Sequence, residues 1–507
     1  LGCALFIPRG GSLLAEKDKV GIKKARGGDG RMEKMKRRIA IIGGGLRGLT
    51  AAYEIDKAIR EQNLPFEYVV LEDRSSVGGM IHTIDMDGYA IDVGASAFDS
   101  RRTDISDFLQ ELGLKNEKQF SSGGKLVLFD GNAVIEDVMP TYHGMPLFLN
   151  DIWQANGLTL DAKLRTFMNS VFLSKSLHEN PEYSTDNFLE FRLGREVVDY
   201  MAEPYYPDNV YGSMELMPIK LFDENLVTIY GKAHIGKHKK EQLMRYADGS
   251  GQEYSFKEGL ATLTKRLAQH TEGHLYLNQK VKSLSTVSEK LLLLELNGRE
   301  SMRAGCVVVT TNPQESLGFL EGFSNEIAFP KAQSTSVGTV FFKINKKAVK
   351  NLPEGQGFVI PRRSSFHSTK LVVLNNKWPR FEQADYYYVL VEFGRRLEET
   401  LIELADDLVM DIIKNEVKEI LALSEDPLQS TFYRWEKAVP HFSLQQRQEM
   451  LDAGYPALQE YAKKGIFVGG NGITGYGMEN AVIEGKRLAD EAIRYMKKME
   501  NNDSSNA

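Results

Sequence analysis

The stretch Ile39-Ala40-Ile41-Ile42-Gly43-Gly44-Gly45-Leu46-Arg47-Gly48 decides the fold. A short, wholly apolar run is what a parallel strand covered on both faces requires. It leads straight into Gly43-x-Gly45-x-x-Gly48. The first glycine permits a tight strand-to-helix turn, the second lets the backbone approach a pyrophosphate, and the third lets the helix pack on the strand. Leu49 to Arg60 places Leu49, Ala52, Tyr53, Ile55 and Ile59 at helical spacing, and Asn63-Leu64-Pro65 ends the pattern. Tyr68-Val69-Val70-Leu71 reads as a second buried strand that closes on Glu72. Strand, helix, strand and terminal acid in this order predict a dinucleotide-binding unit. The diphosphate would sit at the helix N-terminus, with Glu72 accepting from the ribose hydroxyls. The fingerprint alone does not separate NAD from FAD.

Two further glycine regions point to FAD. Val77-Gly78-Gly79 follows Glu72, and Gly88-Tyr89-Ala90-Ile91-Asp92-Val93-Gly94-Ala95 comes soon after. Paired glycines let a second loop come close to a cofactor. Near the C-terminus, Ile466-Phe467-Val468 runs into Gly469-Gly470-Asn471-Gly472, then through Gly475-Tyr476-Gly477-Met478 to a helix expected over about 480–497. A second glycine-flanked helix start suits the flavin ring and ribityl chain, whose reduced anion backbone N–H groups would stabilise. The plainer reading is an ordinary strand, loop and helix.

Elsewhere the pattern is mixed. Helices are expected at 104–112, across 151–200 and at Leu401 to Ala422, with a short strand ahead of a helix at 254–270. Val281 to Leu296 reads as a hairpin with Asn297-Gly298 as its turn signal. Cys306 to Thr311 reads as a buried strand, and 334–343 and 356–374 alternate like sheet strands. At 507 residues the chain calls for two or three domains. Its net charge of −6 argues against a nucleic-acid partner. No apolar run approaches the roughly 18–20 residues that span a bilayer, so a peripheral membrane contact is the most that is expected. The two cysteines, Cys3 and Cys306, lie far apart. They exclude a Cys-rich metal site and point to a reducing, cytoplasmic compartment, with Cys306 a buried inert thiol. No histidine pair has HExxH spacing, so no metal is expected. The stretch ahead of Met32 and Met35 lacks both periodicity and the layout of a signal peptide. It is expected to be either disordered or upstream of the true start.

From about Lys36 to Met496 the chain resembles the FAD-dependent protoporphyrinogen/coproporphyrinogen oxidases of the amine-oxidase superfamily, in their Gram-positive form. The glycine motifs are common to the superfamily. Others are more specific: Ala202-Glu203-Pro204 through Val210-Tyr211-Gly212, Tyr254 to Leu260, Ser334 to Val337, Gly357 to Arg362, Lys377-Trp378-Pro379, Arg434-Trp435 with Pro440-His441-Phe442, and Gly477 to Gly485. Departures fall at Met80, where the family has Lys or Arg, at Ala95, where it has Pro, and in Gly469 to Thr474.

The resemblance implies an α/β Rossmann-like FAD-binding domain, discontinuous in sequence, with an α+β, mixed-sheet substrate domain and a helical subdomain. The expected partition is an extension at 1–35, cofactor segments at 36–120, 255–320 and 431–498, a substrate/helical segment at 121–254, a substrate segment at 321–430 and a tail at 499–507. The implied cofactor-binding set is Gly43, Gly44, Gly45, Leu46, Gly48, Glu72, Asp73, Gly78, Gly79, Met80, Val281, Trp435, Gly470, Gly477 and Met478. FAD would be held noncovalently, since no cysteine lies near the C-terminal motif. The implied activity is dehydrogenation of coproporphyrinogen III, or of protoporphyrinogen IX, a tetrapyrrole, in heme biosynthesis. Molecular oxygen would be the acceptor and hydrogen peroxide the co-product.

No catalytic acid or base is singled out, because aromatisation drives proton loss. His82 is read as structural and Glu203 as a helix-end hydrogen-bonding group. Arg434 and Trp435 stand open between pocket and core. Arg362, Arg363 and His441 are candidate substrate residues. Pro361 to Arg380 also carries Lys370, Lys377 and Arg380 and no acid, so a basic rim favouring the tetrapropionate substrate is expected, against the plainer reading of a solvated hairpin. Two rival readings remain: an amine-oxidase-like or carotenoid-desaturase-like flavoenzyme with another substrate, and a noncatalytic tetrapyrrole-binding flavoprotein.

Overall fold

The computed structural model describes residues 37–135, 139–172, 184–206, 213–223, 225–231, 241–320, 323, 331–446, 456–473 and 475–505. The expected extension at 1–35, the Val210 to Gly212 motif and Thr474 lie outside them.

The apolar run of the fingerprint becomes the central strand β1 (Arg37–Ile42), followed by helix α1 (Leu46–Glu61) and strand β2 (Phe66–Leu71). A five-stranded, all-parallel sheet is ordered Leu275–Tyr276, β2, β1, β3 (Cys306–Val309) and Ile466–Val468. Its strands come from segments hundreds of residues apart, so the sheet is discontinuous. Alternate residues of β1 serve two different cores. Ile39 and Ile41 pack with Ala51, Ala52 and Ile55 of α1 and with Leu488, Ala489 and Ala492 of the last helix, α2 (Met478–Ser505). Ala40 and Ile42 face Leu284, Leu292 and Leu294 of a three-stranded antiparallel sheet. Burial on both faces explains why the run carries no polar residue.

A second, seven-stranded mixed sheet contains β4 (Gln333–Asn345), β5 (Tyr386–Phe393) and β6 (Gln429–His441), with β4 between the other two. The helix Asp406–Ile420 covers one face through Val409, Ile413 and Val417. A helical region around Phe188, Leu189, Val197 and Tyr200 packs on Leu128 and Val359 at the far end of that sheet.

Several expectations need correction. Asn297-Gly298 does not turn the Val281 hairpin. Val281–Ser288 pairs with Leu291–Leu296 before it is reached, and Gly298, at φ 79°, turns the chain into Ser301–Ala304. The helix expected from Leu401 begins at Asp406, because Leu401 and Ile402 are buried in turns. The C-terminal helix does not end before a tail at 499: Met496 and Met499 are both buried on one face and carry it on to Ser505. The expected breaks at 254/255 and 430/431 fall inside the strands Glu253–Phe256 and β6, since an uninterrupted strand leaves no compositional mark where it passes between units.

Helix α2 crosses α1 at Gly485, where a Cβ would lie 2.6 Å from the Arg47 carbonyl oxygen and 2.8 Å from Thr50 Cβ. Backbone cannot yield there. Gly485→Val is therefore expected to destabilise the protein by about 1–3 kcal/mol or more. Thermal melting that leaves Tm unchanged would contradict this packing.

Candidate functional site

Three glycine regions converge at the C-terminal edge of the parallel sheet, where ligands of open α/β sheets bind. Each glycine of the fingerprint has a different surrounding. Gly43 holds φ 107°, and a Cβ there would stand 2.8 Å from Thr310 Oγ1. A Cβ at Gly48 would lie 2.0 Å from the Gly43 carbonyl oxygen, so α1 presses directly on the turn. At Gly45 a Cβ would meet nothing within 4 Å. Gly45 is the N-cap of α1, no side chain caps this end, and its first turn holds no acid. Unpartnered N–H groups facing open space fit a diphosphate.

The second loop is tied to the first. The Gly78 N–H donates to the Gly44 carbonyl at 2.9 Å, and Gly45 and Gly78 form an isolated parallel bridge. Gly79 follows at φ 60°. Glu72 is buried, and its carboxylate accepts from Gly44 N–H at 2.6 Å and Arg74 N–H at 3.0 Å. Burial pushes its pKa up, against the pull of those two N–H groups. Each oxygen keeps a second lone pair, which suits ribose hydroxyls. Asp73 is exposed beside it. The segment carrying Val281 runs alongside, with Gln279 N–H on the Glu72 carbonyl and Asn278 N–H on that of Arg74.

The third part closes the site. The Met80 carbonyl accepts from Ala95 N–H at 3.0 Å. A Cβ at Gly94 would stand 2.0 Å from that carbonyl oxygen and 3.1 Å from Trp435 Cζ2. Met80, Trp435 and Tyr476 pack on Val337, Ala438 and Val439. The His82 ring lies 6.3 Å from that of Trp435. Met478 opens α2 and packs into the cluster that holds Leu46 of α1, so both helices start at the same place. Gly477, at φ 93°, precedes it. The Gly470 N–H donates to Glu484 Oε2 at 3.4 Å. The same carboxylate pairs with Arg47, and both side chains are buried.

That pair was not legible in the sequence, where Arg47 is merely a variable position of the fingerprint. It fastens α1, the Gly470 loop and α2 together.

The expected basic rim is not there. Lys370 is half-buried and pairs with Glu392 at 2.9 Å, and the buried Lys377 pairs with Glu253 at 2.7 Å. Arg380 donates to the Ala90 carbonyl and to Gln119 beside the buried Asp92 carboxylate. The acids absent from the stretch come from elsewhere in the fold. Arg363 stacks on the Tyr200 ring at 3.6 Å and lines a charged cleft of about 410 Å³ with Arg165 and Arg195, away from the glycine loops. Arg362 reaches Glu203 and Glu398. His441 is buried, with Nε2 2.9 Å from Thr335 Oγ1, a placement between strands. Cys306 is buried in the parallel sheet, and burial raises its thiol pKa. No group of residues able to hold a metal occurs among the described residues, and no described helix is long and apolar enough to cross a membrane.

The family model for flavin containing amine oxidoreductase matches residues 47–493. Coproporphyrinogen III oxidase of Bacillus subtilis is 25% identical, covering 91% of this chain and 99% of its own. Protoporphyrinogen oxidase 2 of Arabidopsis thaliana is 23% identical, covering 93% of this chain and 96% of its own. Among solved structures, a protein assigned as a protoporphyrinogen oxidase from Exiguobacterium sp. 255-15 superposes with a TM-score of 0.74 at 21% identity, covering 90% of this chain and 98% of that one.

Because Gly45 faces open space, Gly45→Val is expected to fold with near-normal Tm and to purify without flavin. A variant that retains stoichiometric flavin would show the diphosphate lies elsewhere. Glu484→Ala leaves Arg47 buried and unpaired, which costs about 3–5 kcal/mol. A lowered Tm, in step with weakened flavin retention, is the expected result; an unchanged melt would contradict the role of this pair.

Proposed function

The chain belongs to the flavin containing amine oxidoreductase family, and from that premise we propose that it is an oxidase of porphyrinogens, with coproporphyrinogen III as substrate. The observation that carries the reading is end-to-end likeness: the coproporphyrinogen III oxidases of Bacillus subtilis and Staphylococcus aureus are each covered over 99% of their length. The likeness thus runs through the seven-stranded sheet as well as the parallel sheet, which supports a shared substrate and not a shared cofactor alone.

The cofactor in this proposal is FAD, bound without a covalent link. Gly43 to Gly48 and the start of α1 hold the diphosphate, and Glu72 holds the ribose with Asp73 and Val281 beside it. Gly78, Gly79, Met80, Trp435, Gly470, Gly477 and Met478 surround the flavin. The only cysteine among the described residues is Cys306, sealed in the parallel sheet and out of reach of such a link. Bound flavin supplies the hydride acceptor. The protein's residues do the rest: α1 and α2 fix the cofactor by their N-termini, while β4 and β6 bring Val337 and Trp435 over the glycine loops and exclude water. Dioxygen is the terminal acceptor and hydrogen peroxide the co-product. The macrocycle gains aromaticity as it loses hydrogen, which removes the need for a strong protein base. We place the reaction in the cytoplasm.

Two measurements test this reading. Aerobic incubation with coproporphyrinogen III and with protoporphyrinogen IX is expected to raise porphyrin fluorescence, faster with the former, with peroxide accumulating. No enzyme-dependent rise with either substrate would overturn the activity. After denaturation, FAD should separate from the polypeptide on a sizing column; flavin that stays with the chain would contradict noncovalent binding.

A further inference from the structure

The seven-stranded sheet shows the helix Asp406–Ile420 an apolar face that includes Leu371, Val391, Val340 and Phe432. Their neighbours in sequence belong to the opposite face. There Val372, Leu390 and Phe341 lie side by side across three strands and pack on Ile91 and Val93, just ahead of Gly94. The next row on this face changes character. Lys370 stands opposite Glu392, Glu392 opposite Thr339, and Thr339 opposite Tyr433. Directly opposed residues share a face, so these four side chains form one polar row. One step further along β4 and β6, Val337 and Trp435 pack with Met80 at the proposed flavin seat. The Tyr433 ring also lies 5.8 Å from that of His82, close behind Gly79 in sequence. The polar row therefore crosses the sheet between an apolar core and the seat.

The row has acceptors to spare. Lys370 Nζ donates to Glu392 Oε1 at 2.9 Å, and each of the two side chains keeps 15% of its surface exposed. Glu392 Oε2, the Thr339 hydroxyl and the Tyr433 hydroxyl make no hydrogen bond among the described residues, and none of them is sealed from solvent. Burial draws the Lys370 pKa down, but Glu392 and Glu253 outweigh it and keep the ammonium charged. An ion pair on an inward sheet face is no more stable than packed apolar side chains of the same size. Stability therefore does not account for a charged pair beside the apolar row. What the pair provides is a carboxylate oxygen, Glu392 Oε2, kept ionised by Lys370 and open to a ligand lying on this face.

We propose that Glu392 is the base that accepts the proton lost from a pyrrole N–H as the macrocycle is dehydrogenated. This rests on the porphyrinogen reading and adds to it a residue that touches the substrate. The macrocycle lies on the polar row, and Glu392 Oε2 accepts from an inward N–H, as an ionised carboxylate can only accept. The C–H bond of the adjacent carbon bridge breaks, and its hydrogen leaves with the electron pair for the bound flavin. The N–H bond breaks toward Oε2, and a C=N bond forms in the ring. Glu392 then yields the proton to solvent at its exposed surface. A weak base suffices here, because the ring holds that proton loosely once the bridge hydrogen has left with its electrons. Lys370 is a positioning residue: it orients the carboxylate and favours its ionised form.

The test uses the flavin-loaded enzyme, coproporphyrinogen III as substrate and the already oxidised coproporphyrin III as a binding probe. Glu392→Gln is expected to lower kcat by about a hundredfold with KM near wild type. Flavin content, Tm and the coproporphyrin Kd, read by fluorescence quenching, should stay near wild type. The pH profile separates a base from a strut. Besides Lys370, the titratable groups on this side are Tyr433 across Thr339, His82 beyond it, and Glu253 and Lys377 next to Lys370. Wild-type kcat should fall on the acid side as Glu392 gains a proton. That fall should vanish in Glu392→Gln, remain in Glu392→Asp and in His82→Gln, and move to higher pH in Lys370→Met, since losing the ammonium raises the carboxylate pKa. A kcat near wild type in Glu392→Gln, or an acid limb unchanged in it, overturns the proposal and leaves the activity standing. Should Glu392→Gln not fold, Lys370→Met decides, and an acid limb that stays in place there overturns the proposal. Wild-type enzyme that does not turn over the substrate would overturn the porphyrinogen reading, and this proposal with it.

Discussion

The Gly78 N–H to Gly44 carbonyl hydrogen bond, 2.9 Å long, joins two loops whose glycines are fixed by their own surroundings: a Cβ at Gly44 would stand 2.9 Å from Glu72 Oε2, and one at Gly78, at φ 116°, 2.6 Å from the Ile81 carbonyl oxygen. From this contact the rest of the site follows. Gly45 is left facing open space at the start of α1, Gly79 can turn at positive φ, and Met80 is brought under Gly94 and Trp435. The constraint is local backbone geometry, which leaves no room for a side chain at Gly44 or Gly78. Met80 and Ala95, the departures from the family pattern, contribute through backbone: the Met80 carbonyl accepts from the Ala95 N–H. Side-chain identity at these two positions is therefore less constrained than loop shape.

The seat is assembled from ends of the chain that the parallel sheet draws together, and a buried ion pair acts at its border. Arg47 and Glu484 fasten the two helices that begin at the cofactor. Arg395 and Glu203 pair between the seven-stranded sheet and the helical region. Glu484 also takes the Gly470 N–H and faces Arg487, so the Arg47 pair belongs to a wider network.

Legibility in the sequence followed the range of the interactions. The βαβ unit was readable because its strands are apolar throughout, its helix is amphipathic and its glycines are spaced by local geometry. The hairpin turn at Asn297-Gly298 was misassigned because the motif marks a turn without saying which strands it joins. The run Pro361 to Arg380 looked basic because its neutralising acids, Glu392, Glu253 and Asp92, come from other parts of the fold. Arg47, Glu484 and Arg395 were invisible for the same reason: a charge shows its burial only when its partner, hundreds of residues away, is placed beside it.

The central claim is that this glycine-built seat holds a flavin that accepts hydrogen directly from a porphyrinogen. Anaerobic mixing of the purified flavoprotein with excess coproporphyrinogen III tests it most directly. The account predicts that the visible flavin absorption bleaches as porphyrin appears, and that it returns when air is admitted. A flavin spectrum that stays oxidised throughout, with intact bound cofactor, would contradict it.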